Sequence, residues 1–313
     1  MHESASPPQR TAAQQGMRAD MLEHGGRLRE ASARYGIPLG DWLDLSTGIN
    51  PRGFAVPALP AACWTRLPED GDGLEAAART YYGCHALLPV AGSQAAIQAL
   101  PRLRPPCRVA VMAPGYREHA ESWRRAGHRV EALRVEQLRA ELPDCEVLVL
   151  IHPGNPGGER FGRDELLGWH HRMAARGGWL VLDEAFIDST PERSLASLGG
   201  LAGLIVLRSV GKFFGLAGIR VGFVLAETAL LSRLHEALGP WAIAGPAREA
   251  ARLALLDKDW QQQARTRLET GSRCLRTLLT RYGLPPSGAV RCFSGSGWAA
   301  PGLSMNSWPG RGS

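Results

Sequence analysis

The residues best suited to chemistry lie in one stretch, Arg208-Ser209-Val210-Gly211-Lys212-Phe213-Phe214-Gly215, followed by Arg220. Lys212 and Lys258 are the two lysines among 36 basic residues. Arginine therefore carries nearly all the positive charge, and a lysine kept in an apolar, glycine-flanked turn offers something a guanidinium cannot. An amine can lose its proton and form an imine with a carbonyl compound. Its ordinary pKa of about 10.4 means that it needs desolvation or nearby cations to become nucleophilic near neutrality. From spacing alone, the turn reads equally well as a lysine closing a strand with its stem on apolar neighbours.

The surrounding elements decide between these readings. The apolar run 204–207 reads as a buried strand leading into the turn. From Leu87 onward the pattern repeats as strand, loop, helix, with strands expected at 87–90, 109–112, 129–133, 147–151, 179–182, 204–207 and 221–225. Helices are expected at 74–82, 93–103, 118–126 and 163–175, then at 230–238, 246–256 and 260–281. This alternation predicts an α/β fold with a mostly parallel central sheet, whose ligands sit outside the carboxyl ends of the strands. Gly92, Tyr116, Asn155, Asp183 and Lys212 all fall just past predicted strand ends. That shared placement favours the chemical reading of the lysine.

The organisation expected along the chain is a disordered N-terminus over 1–20, an arm and loop over 21–55 and a large domain over 56–245. A partial small domain over 246–290 and an irregular tail over 291–313 follow. The tail is rich in Gly, Ser, Trp, Pro and Arg, and periodicity is lost after Leu284. Met17 or Met21 is a possible alternative start.

With 44% apolar and 21% charged residues, the composition is that of a soluble globular protein. The net charge of +6 comes from scattered arginines, without a basic run interleaved with aromatics, so nucleic-acid binding is not expected. Six well-separated cysteines argue against zinc and against a disulfide framework, and fit a reducing cytoplasm. No apolar stretch is long enough for a bilayer, and the N-terminus lacks a signal-peptide core. Adjacent His170 and His171 point in different helical directions, and no metal site is expected. Gly211-Lys212 lacks the hydroxyl residue and the upstream glycine of a P-loop.

An imine-forming lysine at the edge of an α/β sheet suggests pyridoxal 5'-phosphate. Its phosphate needs backbone N–H groups at a helix start, which Gly92-Ser93-Gln94 would supply, with Ser209 and Arg220 as further donors. Its pyridine nitrogen must stay protonated to act as an electron sink, and Asp183 would hold that proton. Tyr116 would stack on the ring, and Asn155 would hydrogen-bond its hydroxyl. Singly, these are a helix cap, a strand end, a core tyrosine and a turn. Their order along the chain is far more specific.

With these residues in place, the chain from about His24 to Leu256 resembles a fold-type I pyridoxal-phosphate enzyme of the aminotransferase class I/II superfamily. Within that superfamily it is most similar to the threonine-phosphate decarboxylases of cobalamin biosynthesis, relatives of histidinol-phosphate aminotransferase. The resemblance implies a transferase-like large domain with an incomplete C-terminal small domain. It implies Lys212 as the imine lysine, Asp183 as the pyridinium partner and Arg220 on the phosphate. His24-Gly25-Gly26 resembles the decarboxylases' N-terminal arm, and Ser46-Thr47-Gly48-Ile49-Asn50-Pro51 their substrate loop. His24, Gly25, Gly48 and Asn155 are thus implied as substrate contacts, and a cytoplasmic homodimer as the assembly.

The sequence departs from this pattern at several places. Phe186 stands where many relatives carry a tyrosine, Gly211 where a Ser or Thr precedes the lysine, and Leu67 where a tyrosine reaches the partner subunit. No segment after Leu284 matches the family's C-terminal arginines for substrate carboxylate and phosphate, and the tail resembles a wrong-frame or truncated sequence. The implied reaction is decarboxylation of L-threonine O-3-phosphate to aminopropanol phosphate. Its rivals are a histidinol-phosphate-type aminotransferase, and a catalytically impaired cofactor-binding remnant.

Overall fold

Two runs, Val147–Ile151 and Trp179–Asp183, are buried along their whole length on both faces. Each fully buried Val, Leu or Ile side chain contributes about 1.5–3 kcal/mol, so these strands must occupy the middle of a sheet covered on both sides. The computed structural model places them there and describes residues 22, 24–286, 288–290 and 293–295. The N-terminus expected to be disordered and most of the expected irregular tail lie outside the described residues.

The chain divides into two units, one ending at Thr47 and the other starting at Gly48. In the first, helix α1 (Leu28–Tyr35) stops at Gly36, whose left-handed φ of 68° lets its N–H close on Ser32 O. Gly26 N donates to Ser46 Oγ at 2.7 Å, and Gly25 sits so close to the Ser46 carbonyl that a side chain has no room.

The second unit carries a seven-stranded sheet. Its strands are β1 (Leu87–Val90), β2 (Arg108–Met112), β3 (Arg129–Leu133), β4 (Val147–Ile151), β5 (Trp179–Asp183), β6 (Leu204–Ser209) and β7 (Gly222–Leu225). The spatial order is β1-β7-β6-β5-β4-β2-β3, with β7 antiparallel to both neighbours and every other pairing parallel. The expected mostly parallel sheet is therefore present.

Helices cover both faces. In chain order they are α2 (Ala62–Thr65), α3 (Leu74–Tyr82), α4 (Ser93–Ala99), α5 (Glu118–Arg125), α6 (Val135–Ala140), α7 (Arg163–Ala174), α8 (Thr228–Leu238), α9 (Gly245–Leu256) and α10 (Lys258–Arg281). Val181 and Leu207 share one core with Ile97 of α4, Trp123 of α5 and Leu234 of α8. Leu182 and Val206 share the other with Ala78 of α3, Met173 of α7 and Ala254 of α9. Successive residues of β5 and β6 thus serve opposite layers.

Three features differ from the sequence reading. The helix expected over 93–103 is α-helical only to Ala99 and continues as a 3-10 turn, Leu100–Leu103, because Pro101 has no N–H for the α ladder. Helix α6 was not anticipated; it is short, and its start is closed by Arg134 N donating to Gln137 Oε1 at 2.9 Å. Beyond Leu284, where no pattern is visible, β8 (Gly288–Val290) and β9 (Phe293–Gly295) pair antiparallel.

Candidate active site

Lys212 follows the last residue of β6 by three positions and lies half-buried. Its turn is held by backbone contacts on one side and aromatic packing on the other. Asn50 N donates to Lys212 O at 3.0 Å, and Asn50 Nδ2 to Phe213 O at 2.9 Å. Gly215, at φ 70°, lies directly against the Gly53 backbone, an approach that no side chain at either position would permit. Phe213 and Phe214 each sit 5.6 Å from the Trp260 ring of α10. A Cβ on Gly211 would lie 3.2 Å from Ala217 Cα, a tight approach. The Lys212 amine rests over the Phe186 ring, 5.1 Å from its centroid.

Beside the turn, Gly92, Ser93, Ser209 and Arg220 come close together. Gly92, at φ 73°, precedes Ser93, the first residue of α4. A Cβ on Gly92 would lie 2.7 Å from a guanidinium nitrogen of Arg220, itself held at a left-handed φ of 55°. A Cβ on Gly222 would lie 2.6 Å from Ser93 N, and Gly222 is the register partner of Ser209. The two glycines therefore let the Ser93 amide, the Ser209 position of β6 and the Arg220 guanidinium approach one another closely. This donor set, backbone N–H with hydroxyl and guanidinium, suits a phosphate dianion. The Gln94 side chain links two neighbours on the α5 side. Its Nε2 donates to Glu118 at 2.9 Å, and its Oε1 accepts from the Tyr116 hydroxyl at 3.1 Å. Burial, aided by the Glu118 charge, pushes the Tyr116 phenol up to about 12, so it remains a donor at neutral pH.

Asp183 ends β5 on the α5 side of the sheet. Its Oδ2 meets His119 Nε2 at 2.8 Å, and its Oδ1 accepts from Ala185 N at 3.0 Å. Both side chains are almost fully buried. The sequence reading missed His119. The signal was present: His119, Ser122 and Trp123 are buried together along α5, an i, i+3, i+4 stripe in an otherwise polar helix.

The adjacent Glu184 belongs to the opposite layer. It pairs with buried Arg208 at 2.9 Å and accepts from Leu195 N at 2.9 Å and from the Ser194 hydroxyl. Arg208 also pairs with Asp188, which accepts from Tyr81 at 2.9 Å. Burial pushes the Glu184 carboxyl up against the opposing pull of Arg208. The Arg208 guanidinium is held above its ordinary range, because Asp188 and Glu184 outweigh the cost of its burial.

Asn155 lies half-buried in the loop after β4, whose final residue Ile151 is in register with Asp183. That loop is closed by Gly154 N to Glu159 O and Gly158 N to Gly154 O, both 2.8 Å. Gly48 is half-buried, two residues before Asn50. His24 and Gly25 belong to the first unit and are exposed there.

The family model for aminotransferase class I and II matches residues 72–294. A threonine-phosphate decarboxylase from Pseudomonas aeruginosa is 56% identical over 273 residues, covering 87% of this chain and 82% of that one. Among solved structures, the L-threonine-O-3-phosphate decarboxylase from Porphyromonas gingivalis is similar with a TM-score of 0.62 at 22% identity, covering 70% of this chain and 69% of that one. The histidinol-phosphate aminotransferase from Clostridium acetobutylicum gives 0.64 at 19% identity, covering 71% of each. The two structural likenesses speak to the fold.

Proposed function

The chain belongs to the aminotransferase class I and II family, and from that premise we propose that it decarboxylates L-threonine O-3-phosphate to aminopropanol phosphate in the cobalamin pathway. The observation that carries this reading is the 56% identity to the Pseudomonas aeruginosa threonine-phosphate decarboxylase over 87% of the chain. The histidinol-phosphate reading rests on matches such as 35% identity over 38% of the chain and on fold likeness at 19% identity, and is the weaker one.

The residues present fit pyridoxal phosphate in the chemistry of their donors: Gly92 and Gly222 let the Ser93 amide, the Ser209 position and the Arg220 guanidinium come close together, and these are groups a phosphate accepts from. Gly92, Ser93 and Gln94 through their backbone, with Ser209 and Arg220, would hold the phosphate. Asp183 would face the pyridine nitrogen, Tyr116 the ring, Asn155 the ring oxygen, and Lys212 would be the point of attachment. When bound, the cofactor supplies an electron sink for the carbon that loses carbon dioxide.

The chain's own part is positioning and proton handling. His119 and Ala185 N fix both Asp183 oxygens, so the carboxylate needs no reorganisation during the reaction. The carboxylate of the substrate leaves as carbon dioxide, its bonding pair stays on Cα, and that carbon takes one proton. Lys212 Nζ, freed when substrate arrives, is the donor and ends as a neutral amine. His24, Gly25, Gly48 and Asn155 would contact the substrate, and the enzyme would work as a cytoplasmic homodimer. Among the described residues no helix is long and apolar enough to cross a membrane.

The purified chain should absorb in the visible range and release carbon dioxide from threonine phosphate. Consumption of 2-oxoglutarate with histidinol phosphate, without carbon dioxide release, would replace this reading by the aminotransferase one. Visible absorbance with neither turnover would favour an impaired remnant.

A further inference from the structure

We propose that Phe186 is a positioning residue for proton transfer: its ring face favours the ammonium form of Lys212, so that the lysine enters the reaction as an acid. The ring is buried, and the Lys212 amine lies over it, 5.1 Å from the centroid. This placement is built by the turn that also fixes Asp183. Ala185 N bonds Asp183 Oδ1, Glu184 N bonds Leu207 O at 2.9 Å, and Ile187 N bonds Glu184 O at 3.2 Å. Phe186 therefore sits on a turn anchored by these backbone N–H groups.

A phenyl ring offers an amine no hydrogen-bonding atom. What it offers is a negative face, which attracts an ammonium and does little for a neutral amine. Burial alone would push the lysine toward neutrality, and the ring opposes that. Charged or titratable groups carried by elements packed around the turn are Asp183 with His119, Glu184 and Asp188 with Arg208, Glu118 with Tyr116, Arg220, Arg52 and Arg265. All are unchanged in a Phe186 variant, so a wild-type-to-variant difference isolates the ring.

The catalytic consequence rests on the proposed decarboxylation. Loss of carbon dioxide leaves Cα with an electron pair that takes a proton from Lys212 Nζ, and the ammonium becomes an amine. A reaction that begins by removing hydrogen from Cα needs the opposite form of the lysine.

Two lysines make the test direct, because full-length chain labelled with 13Cε-lysine gives two side-chain signals, assigned with Lys258→Arg. With the cofactor removed, the Lys212 signal is followed through its titration. Phe186→Leu and Phe186→Met, which lack a ring, should lower its midpoint by about half a pH unit to one unit. Phe186→Tyr keeps the ring and should leave the midpoint within about 0.2 unit, while Lys258 serves as an unmoved internal control. If both ringless variants fail to fold, incorporation of 4-fluorophenylalanine weakens the ring face at nearly constant shape and should shift the midpoint in the same direction. An unchanged midpoint in every folded ringless or fluorinated protein overturns the proposal. In the holoenzyme, the alkaline limb of the pH–kcat profile should fall by the same amount in Phe186→Met; an unmoved limb overturns the catalytic part. Carbon dioxide release by wild type, measured separately, tells failure of the ring argument from failure of the decarboxylase reading.

Discussion

Asp183 and Glu184 are neighbours in sequence, are both buried, and both end in ion-paired networks, yet they do different work. Asp183 faces the α5 layer, where a single histidine and one backbone N–H hold it beside the lysine turn. Glu184 faces the α3 layer, where Arg208, Ser194 and the Leu195 amide surround it. Ser209 and Arg208 divide in the same way on β6, one in register with Gly222 beside the start of α4 and the other neutralising two carboxylates. The difference teaches that burial of a charge does not by itself mark a site. On the Glu184 side two carboxylates and a guanidinium satisfy one another, whereas Asp183 meets one histidine and one backbone N–H.

This contrast can be broken experimentally. On the chemical side, Lys212→Ala should remove visible absorbance and lower turnover by about a thousandfold or more, with little change in thermal stability. Survival of both would remove the lysine from the reaction. On the structural side, Arg208→Leu strands two buried carboxylates and should cost about 3–5 kcal/mol of unfolding free energy in urea titrations. The fraction that remains folded should turn over at close to the wild-type rate; a rate loss without a stability loss would reverse the assignment of sides. His119→Phe removes one hydrogen bond to a charged acceptor. It should lower kcat roughly tenfold to a hundredfold while leaving the urea midpoint nearly unchanged.

The smallest expected effect concerns pH. His152 is fully buried, its Nδ1 accepts from Phe161 N, and its ring lies near the Arg193 carbonyl. Burial lowers its pKa to about 4. Because the folded value is depressed below the ordinary His value of about 6.5, the unfolded chain binds this proton first. The stability it supports is present above about pH 6.5 and is lost as pH falls toward 4. Between pH 7 and 5.5, wild type should lose about 1 kcal/mol more than His152→Asn in urea titrations. An equal loss in both would place the acid sensitivity elsewhere.

Much of this was legible in the sequence, for identifiable reasons. The strands could be read because Val147–Ile151 and Leu204–Ser209 are buried on both faces, which needs an unbroken apolar run. Lys212, Asp183 and Gly92 could be singled out because each falls at or just past the carboxyl end of a strand, whereas Arg220, which precedes β7, could be singled out through the family resemblance. What could not be read were contacts across layers. His119 looks like one residue of a polar helix until the sheet brings Asp183 over it. Phe186 can be read only as lacking a hydroxyl, since the approach of an amine to its face depends on the turn. The pair β8–β9 was missed because three-residue strands carry no usable period.

The alternation of Asp183 with Glu184, and of Arg208 with Ser209, has a consequence for how this sheet can change. Sliding β5 or β6 by a single residue would hand Asp183 to the layer of Arg208 and turn Glu184 toward His119, ruining both layers together. Length changes within these strands are therefore closed to the lineage, and novelty in substrate must be written into the loops beyond them.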